Sequence, residues 1–130
     1  MDPLRVLIVD DEEELVSALQ ERLALRGFDA WGVTRGSEAL QFLEERRCDV
    51  VVLDLKMPGL GGLEVIRRIK AEHPDTEVIL LTGHGSTVSV EEGKEAGAFA
   101  YLMKPVKIYD LVQILRSAGK AGRAGQEGAV

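Results

Sequence analysis

The chain has a single cysteine, Cys48. No disulfide can form within it, which fits a reducing compartment and a cytoplasmic location. Cys48 lies just before an apolar run and is expected to pack there. Positive charge is in deficit: 16 Lys and Arg face 22 Asp and Glu, a formal net charge of −6. The chain as a whole therefore lacks the basic footprint of a nucleic-acid-binding module. Long apolar runs are missing as well. The longest spans a few residues, where a membrane helix needs about 20. The opening Met1-Asp2-Pro3-Leu4-Arg5 carries no secretory pattern, and no internal repeat organises the sequence.

What is present is ordinary for one globular domain: 130 residues, 45% apolar and 29% charged. That length supports one core and is short for two. The central stretch is Val50-Val51-Val52-Leu53-Asp54. An unbroken Val/Leu run reads as a strand buried on both faces, as in a parallel sheet. Pro58 and Gly59 end it. Asp54 is then a carboxylate at the C-terminal end of a central strand, the edge where open α/β sheets place ligands. Taken alone, it slightly favours the reading of an acid capping the next loop.

The rest of the chain alternates in the same way. Leu4 to Val9 reads as a first strand tipped by Asp10-Asp11-Glu12. A helix over 13–26 follows, with Leu15, Val16, Leu19 and Leu23 on one face and Gly27 at its C-terminus. Phe28 to Val33 reads as an edge strand. Ser37 is expected to cap a second helix carrying Ala39, Leu40 and Leu43. A third helix follows the 59–62 turn, with Leu63, Ile66 and Ile69 on one face, and stops at His73-Pro74. Glu77 to Thr82 is a fourth strand. Ser86 is expected to cap a fourth helix to about Ala96. Its stripe is weak, because Val88 and Val90 do not share a face well, so it is either loosely held or used by a partner. Gly97 ends it, Phe99 to Met103 is a fifth strand, and Ile108, Leu111, Val112 and Leu115 face a last helix. The expectation is a domain over 1–118 and a disordered tail or linker over 119–130. Five strands alternating with five helices predict an α/β fold: a flavodoxin-like, doubly wound (βα)5 sandwich with a five-stranded parallel sheet in the order 2-1-3-4-5.

Four strand ends then carry polar residues on one sheet edge: Asp10 and Asp11, Asp54, Thr82, and Lys104. Three crowded carboxylates repel, and a bound cation relieves this. Hard oxygen ligands with room for water suit Mg2+. A carboxylate so placed can attack phosphorus, as in aspartyl-phosphate chemistry. Lys104 can pair with a phosphoryl oxygen and Thr82 can donate a hydroxyl. The backbone N–H groups of Leu55 and Gly83 are further candidate donors.

The ordered set Asp10-Asp11, Asp54 with Met57-Pro58-Gly59, Thr82-Gly83 and Lys104-Pro105 resembles the receiver domain of bacterial two-component response regulators. The resemblance runs from about Leu4 to Ser117. It implies that Asp54 is the phosphoacceptor, charged by a sensor histidine kinase or phosphotransfer protein. It implies that Asp11, Asp54 and the backbone carbonyl of Lys56 bind Mg2+, with Asp10 acting largely through water. Thr82, Gly83 and Lys104 would contact the phosphoryl group. Thr82 and Tyr101 would be the switch pair that reshapes the face made by the fourth helix, fifth strand and fifth helix. That face is also a possible homodimer surface, and the tail could lead to a C-terminal effector domain. Lys56 and His84 fall where the family tunes phosphoryl lifetime; they read equally well as solvated loop side chains. Lys107 departs from the family's common Asp, which puts the start of the last helix in question. Against this signalling reading, rather than an enzyme, stand three others. A phosphohydrolase with Asp54 as nucleophile would need an acid where Lys56 stands. A flavin carrier would meet an acidic first loop that repels a phosphate. A receiver-like scaffold without phosphorylation would have no use for a complete site.

Overall fold

The computed structural model describes residues 2–56, 61–83 and 87–128. Its elements are β1 Arg5–Val9, α1 Glu13–Leu25, β2 Asp29–Val33, α2 Gly36–Glu45, β3 Val50–Asp54, α3 Gly62–Glu72, β4 Glu77–Thr82, α4 Thr87–Glu95, β5 Ala100–Met103 and α5 Ile108–Gly128. The five strands are all parallel, in the order β2-β1-β3-β4-β5. This is the doubly wound flavodoxin-like arrangement, as the alternation of the sequence predicts. The switch point falls between β1 and β3, where neighbouring crossovers leave in opposite directions.

The continuous apolar runs are explained by burial on both faces. Val6, Ile8, Val50, Val52, Ile79 and Leu81 face one side, against α1 and α5. Leu7, Val9, Val51, Leu53, Val78 and Leu80 face the other, against α2 and α3. Side chains alternate across a strand with period 2, so every position of a central strand needs an apolar residue. β3 is buried at all five positions, whereas β2 at the sheet edge is half-buried throughout.

Helix ends follow local chemistry. Gly27 has φ +90° and Gly97 φ +116°, a left-handed conformation that costs glycine least. At α1, the Phe28 N–H donates to the Leu23 carbonyl and Gly27 N–H to Ala24. At α4, Ala98 donates to Gly93 and Gly97 to Lys94. Both are the paired closing bonds of a Schellman end.

Of the expectations at helix starts, one differs from the structure. α2 starts at Gly36, with Arg35 at the cap position and Ser37 inside the first turn. The Ala39 N–H bonds to the Arg35 carbonyl, so a backbone acceptor opens the helix two residues earlier than the hydroxyl suggests. The expected cap at Ser86 lies outside the described residues. α5 starts at Ile108 despite Lys107, whose carbonyl accepts from the Leu111 N–H.

Residues 119–128, read from the sequence as tail or linker, continue α5 as helix to Gly128. Small residues let it stay close to the domain. Ala118 is fully buried. A Cβ on Gly119 would lie 2.6 Å from Leu4 Cδ1, and one on Gly122 would lie 2.8 Å from the Asp75 carbonyl oxygen. Contacts made by missing side chains leave no apolar stripe to find.

Candidate functional site

The C-terminal ends of β1, β3, β4 and β5 meet at one edge of the sheet. In register, β1 Val9 pairs with β3 Leu53, Asp54 with β4 Leu81, and Thr82 with β5 Met103. The residues that follow these pairs are therefore neighbours. Asp10 is fully buried, Asp54 is 5% and Thr82 3% exposed. Asp11, one residue beyond Asp10, is exposed.

Two carboxylates are fixed by the same device. Asp10 Oδ1 accepts the Glu12 N–H at 3.0 Å, and Asp54 Oδ1 accepts the Lys56 N–H at 3.0 Å. Each is an Asx-type turn in which an aspartate binds the backbone two residues on. It ends the strand and aims the second oxygen into the site. Asp10, Asp11 and Asp54 each offer an oxygen, and the three lie within 4.8 Å of one another.

Lys104 reaches into this group. Its Nζ lies 2.8 Å from Asp10 Oδ2, 3.4 Å from Asp54 Oδ2 and 3.7 Å from Glu12 Oε1. It donates a hydrogen bond to Asp54 Oδ2. Its contact with Asp10 Oδ2 is a short ion pair without hydrogen-bond alignment, and that buried oxygen has no hydrogen-bond partner among the described residues. The Lys104 backbone N–H donates to the Thr82 carbonyl at 2.7 Å, which ties the last strand to the fourth next to the site.

Electrostatics follow from burial. Loss of solvent pushes the Asp54 carboxyl above its usual range. The Lys56 N–H opposes this, the charge of Asp10 adds to it, and Lys104 opposes it. For Lys104, burial alone would lower the ammonium pKa. Pairing with Asp10, then Asp54 and Glu12, outweighs that and raises it.

The arrangement fits a hard divalent cation. It offers carboxylate oxygens from three residues, one of them a buried oxygen short of a hydrogen bond. Oxygen-only donor sets of this kind suit Mg2+. Lys104 adds positive charge beside these acids.

Not every expected residue takes the expected place. The Leu55 N–H already donates to the Leu81 carbonyl at 3.2 Å, so the sheet ladder uses it and it is not available to a ligand. Gly83 is half-buried, and a Cβ built on it would meet nothing within 4 Å. The Lys56 side chain is exposed. Met57, Pro58, Gly59 and His84 lie outside the described residues. Tyr101 stands on β5 and is 41% exposed. Glu12 was legible as the third acid of a run, yet its reach to Lys104 is visible only in three dimensions. A separate crevice of about 540 Å3 lies at the opposite sheet edge, lined by Cys48, His73 and Thr76 among others, away from this chemistry.

Known proteins place the chain. The pattern of the response regulator receiver domain matches residues 6–116. The chain is 36% identical over 127 residues to the transcriptional regulatory protein PrrA of Mycobacterium tuberculosis, covering 95% of this chain and 54% of that protein. It is 40% identical over 113 residues to the DNA-binding response regulator MtrA of Mycolicibacterium smegmatis, covering 87% and 49%. It thus spans about half the length of the curated relatives it matches. Among solved structures, a response regulator receiver domain protein from Clostridium thermocellum superposes with a TM-score of 0.88 at 32% identity, covering 93% of this chain and 98% of that one. With the strand order, the acidic pocket and these matches in agreement, the chain belongs to the response regulator receiver domain family of two-component systems.

Proposed function

We propose that the chain is a phosphorylatable switch in which Asp54 accepts a phosphoryl group from a sensor histidine kinase or phosphotransfer protein. The observation that carries this reading is the meeting of Asp10, Asp11 and Asp54 at one sheet edge with Lys104 Nζ 3.4 Å from Asp54. In the step, an Asp54 carboxylate oxygen forms a bond to phosphorus. The phosphorus–nitrogen bond of the donor phosphohistidine breaks, and the imidazole nitrogen takes up a proton. The product is an acyl phosphate on Asp54.

Each residue of the chain has a task. Asp54 Oδ1 stays on the Lys56 N–H, which leaves Oδ2 to attack. Lys104, already beside Oδ2, moves its charge onto a phosphoryl oxygen as the carboxylate is consumed. Thr82 and the Gly83 N–H take the remaining phosphoryl oxygens. Asp11, Asp54 and the Lys56 carbonyl would hold Mg2+, with Asp10 acting through water. The metal would offset negative charge on the transferring group. Thr82 moving toward the phosphoryl group and Tyr101 turning inward would change the face made by α4, β5 and α5. Lys56 and His84 would tune how fast water removes the phosphoryl group.

The output lies beyond the domain. PrrA and MtrA are named as a transcriptional regulator and a DNA-binding regulator. That supports 1–118 as the receiver and 119–130 as a connection to a DNA-binding effector, and a cytoplasmic site of action. No helix among the described residues is long and apolar enough to cross a membrane. Phe99, Tyr101, Met103 and Tyr109 are 39–71% exposed, which supports a homodimer through the α4-β5-α5 face. Sedimentation of phosphorylated and unphosphorylated protein as the same monomer would remove that part of the reading.

The test is intact mass after incubation with acetyl phosphate, with Mg2+ and with chelator, beside Asp54→Ala. One phosphoryl adduct that needs both Mg2+ and Asp54 and decays with time is expected. Phosphate release without an adduct would instead indicate a phosphohydrolase. No reaction with acetyl phosphate or with phosphorylated kinase would leave a scaffold.

A further inference from the structure

Tyr101 is partnered in a way that the receiver fold does not require. The Lys94 ammonium sits 5.0 Å from the centroid of the Tyr101 ring. Glu91, Glu92 and Glu95 surround Lys94 in sequence. Yet among the described residues Lys94 makes no ion pair. The charge rests on the ring face instead, where the aromatic quadrupole attracts it.

The backbone sets this placement. In register, Tyr101 pairs with Leu80, so the two side chains leave the sheet on the same side. Gly93 of α4 presses on Leu80: a Cβ there would lie 2.2 Å from Leu80 Cδ1. Gly93 also takes the Ala98 N–H on its carbonyl at 3.0 Å, and Lys94 takes that of Gly97. The last turn of α4 is therefore pinned from below by Leu80 and from its end by the 97–98 turn. The residue after Gly93 is delivered over the neighbouring strand, and that residue is Lys94.

We infer that Lys94 is a positioning residue for the switch: stacked on Tyr101, it holds the ring outward in the unphosphorylated chain. This rests on the proposed phosphoacceptor reading, in which Tyr101 turns inward. The inward state gives up the Lys94 contact, because the pinned helix end cannot follow the ring. An interaction present in only one state shifts the equilibrium toward that state. By linkage it also weakens binding of whatever the other state prefers by the same factor. A cation on an exposed aromatic ring contributes about 0.5–1 kcal/mol, so the factor is about two- to fivefold.

The test uses the whole chain and beryllofluoride, an inert mimic of the phosphoryl group, with Mg2+. Lys94→Met keeps the apolar stem and removes the charge. It is expected to tighten beryllofluoride binding by about two- to fivefold. Lys94→Arg, which also stacks on aromatic rings, is expected to restore the wild-type affinity. In a Tyr101→Leu background the Lys94→Met change is expected to do nothing. NMR of the free protein gives an independent readout. The Lys94 ε-methylene protons should be shifted upfield by the ring and return to ordinary values in Tyr101→Leu. Unchanged or weaker binding in Lys94→Met with an intact melting transition would overturn the inference. So would an equal effect of Lys94→Met with and without Tyr101. Wild-type protein that binds no beryllofluoride would instead sink the phosphoacceptor reading, and the latch with it. An upfield Lys94 signal in that case would mark the contact as structural only.

Discussion

Asp54 combines two demands that conflict in the free chain. In the proposed function it is buried beside its partners and charged as a nucleophile. Burial raises its pKa, and the Asp10 charge adds to this. A carboxyl whose folded pKa lies above its unfolded value favours the fold below the unfolded pKa. That contribution is lost as pH rises through the folded value. At neutral pH, without a divalent cation, ionised Asp54 therefore works against the fold. Asp54→Asn is expected to raise the melting temperature in chelator at pH 7, and the gain is expected to vanish near pH 3. A lower melting temperature at pH 7 would mean that the Lys104 contact outweighs burial. Cys48 gives a second case. Burial pushes its thiol up to about 12 from an ordinary 9.0. Its sulfur sits among the carbonyls of Arg5 and Val50. Only the thiolate reacts readily, so native protein is expected to resist iodoacetamide at pH 8 and to react once unfolded in urea. Mass spectrometry reads this directly. By the same sign, stability is expected to fall between about pH 9 and 12 as the unfolded thiol ionises first.

At the scale of elements, α4 is positioned by a side chain that it lacks. α4 has only a weak apolar stripe, and it approaches the sheet through Gly93. Leu80 beneath it is fully buried and has little room to move. Gly93→Val would force a methyl group into Leu80. The expected cost is about 1–3 kcal/mol of stability from overpacking, read by urea denaturation. The same variant should also release Lys94 from Tyr101, because the last turn of α4 would lift. A melting transition unchanged from wild type would show that α4 is not seated as described. The edge strand β2 is covered differently. Trp31 packs on Phe42 in a tilted pair with ring centroids 5.6 Å apart, and the Arg46 guanidinium lies 4.3 Å from the indole centroid. The arginine covers that aromatic pair with a charged, water-facing group.

For the whole molecule, the proposed function has one carboxylate-lined edge serve metal, phosphoryl group and outer face together. A ligand that binds only the folded chain stabilises it by mass action, by about 2.7 kcal/mol at a hundredfold excess over Kd. Mg2+ is expected to raise the melting temperature of the wild type by several degrees and to leave that of Asp11→Asn nearly unchanged. Asp11 is the test position because it is exposed, so its replacement removes the carboxylate charge of a proposed ligand without opening the core. Equal shifts in the two proteins would place the cation elsewhere.

The sequence by itself determined the alternation of strands and helices, hence the parallel sheet and its order. Alternating with amphipathic helices, the Val and Leu runs fit burial between two helical layers, and the acids at their ends then share an edge. It was silent where contacts depend on distance across elements or on atoms that are absent. Small residues hold α5 against Leu4 and Asp75, and periodicity cannot register a missing side chain. Lys104 as the partner of Asp10, Glu12 beside it, and Lys94 on Tyr101 depend on where neighbouring strands bring flexible side chains. Only the packed sheet decides that, because pleat and register, rather than residue type, set which side chains meet.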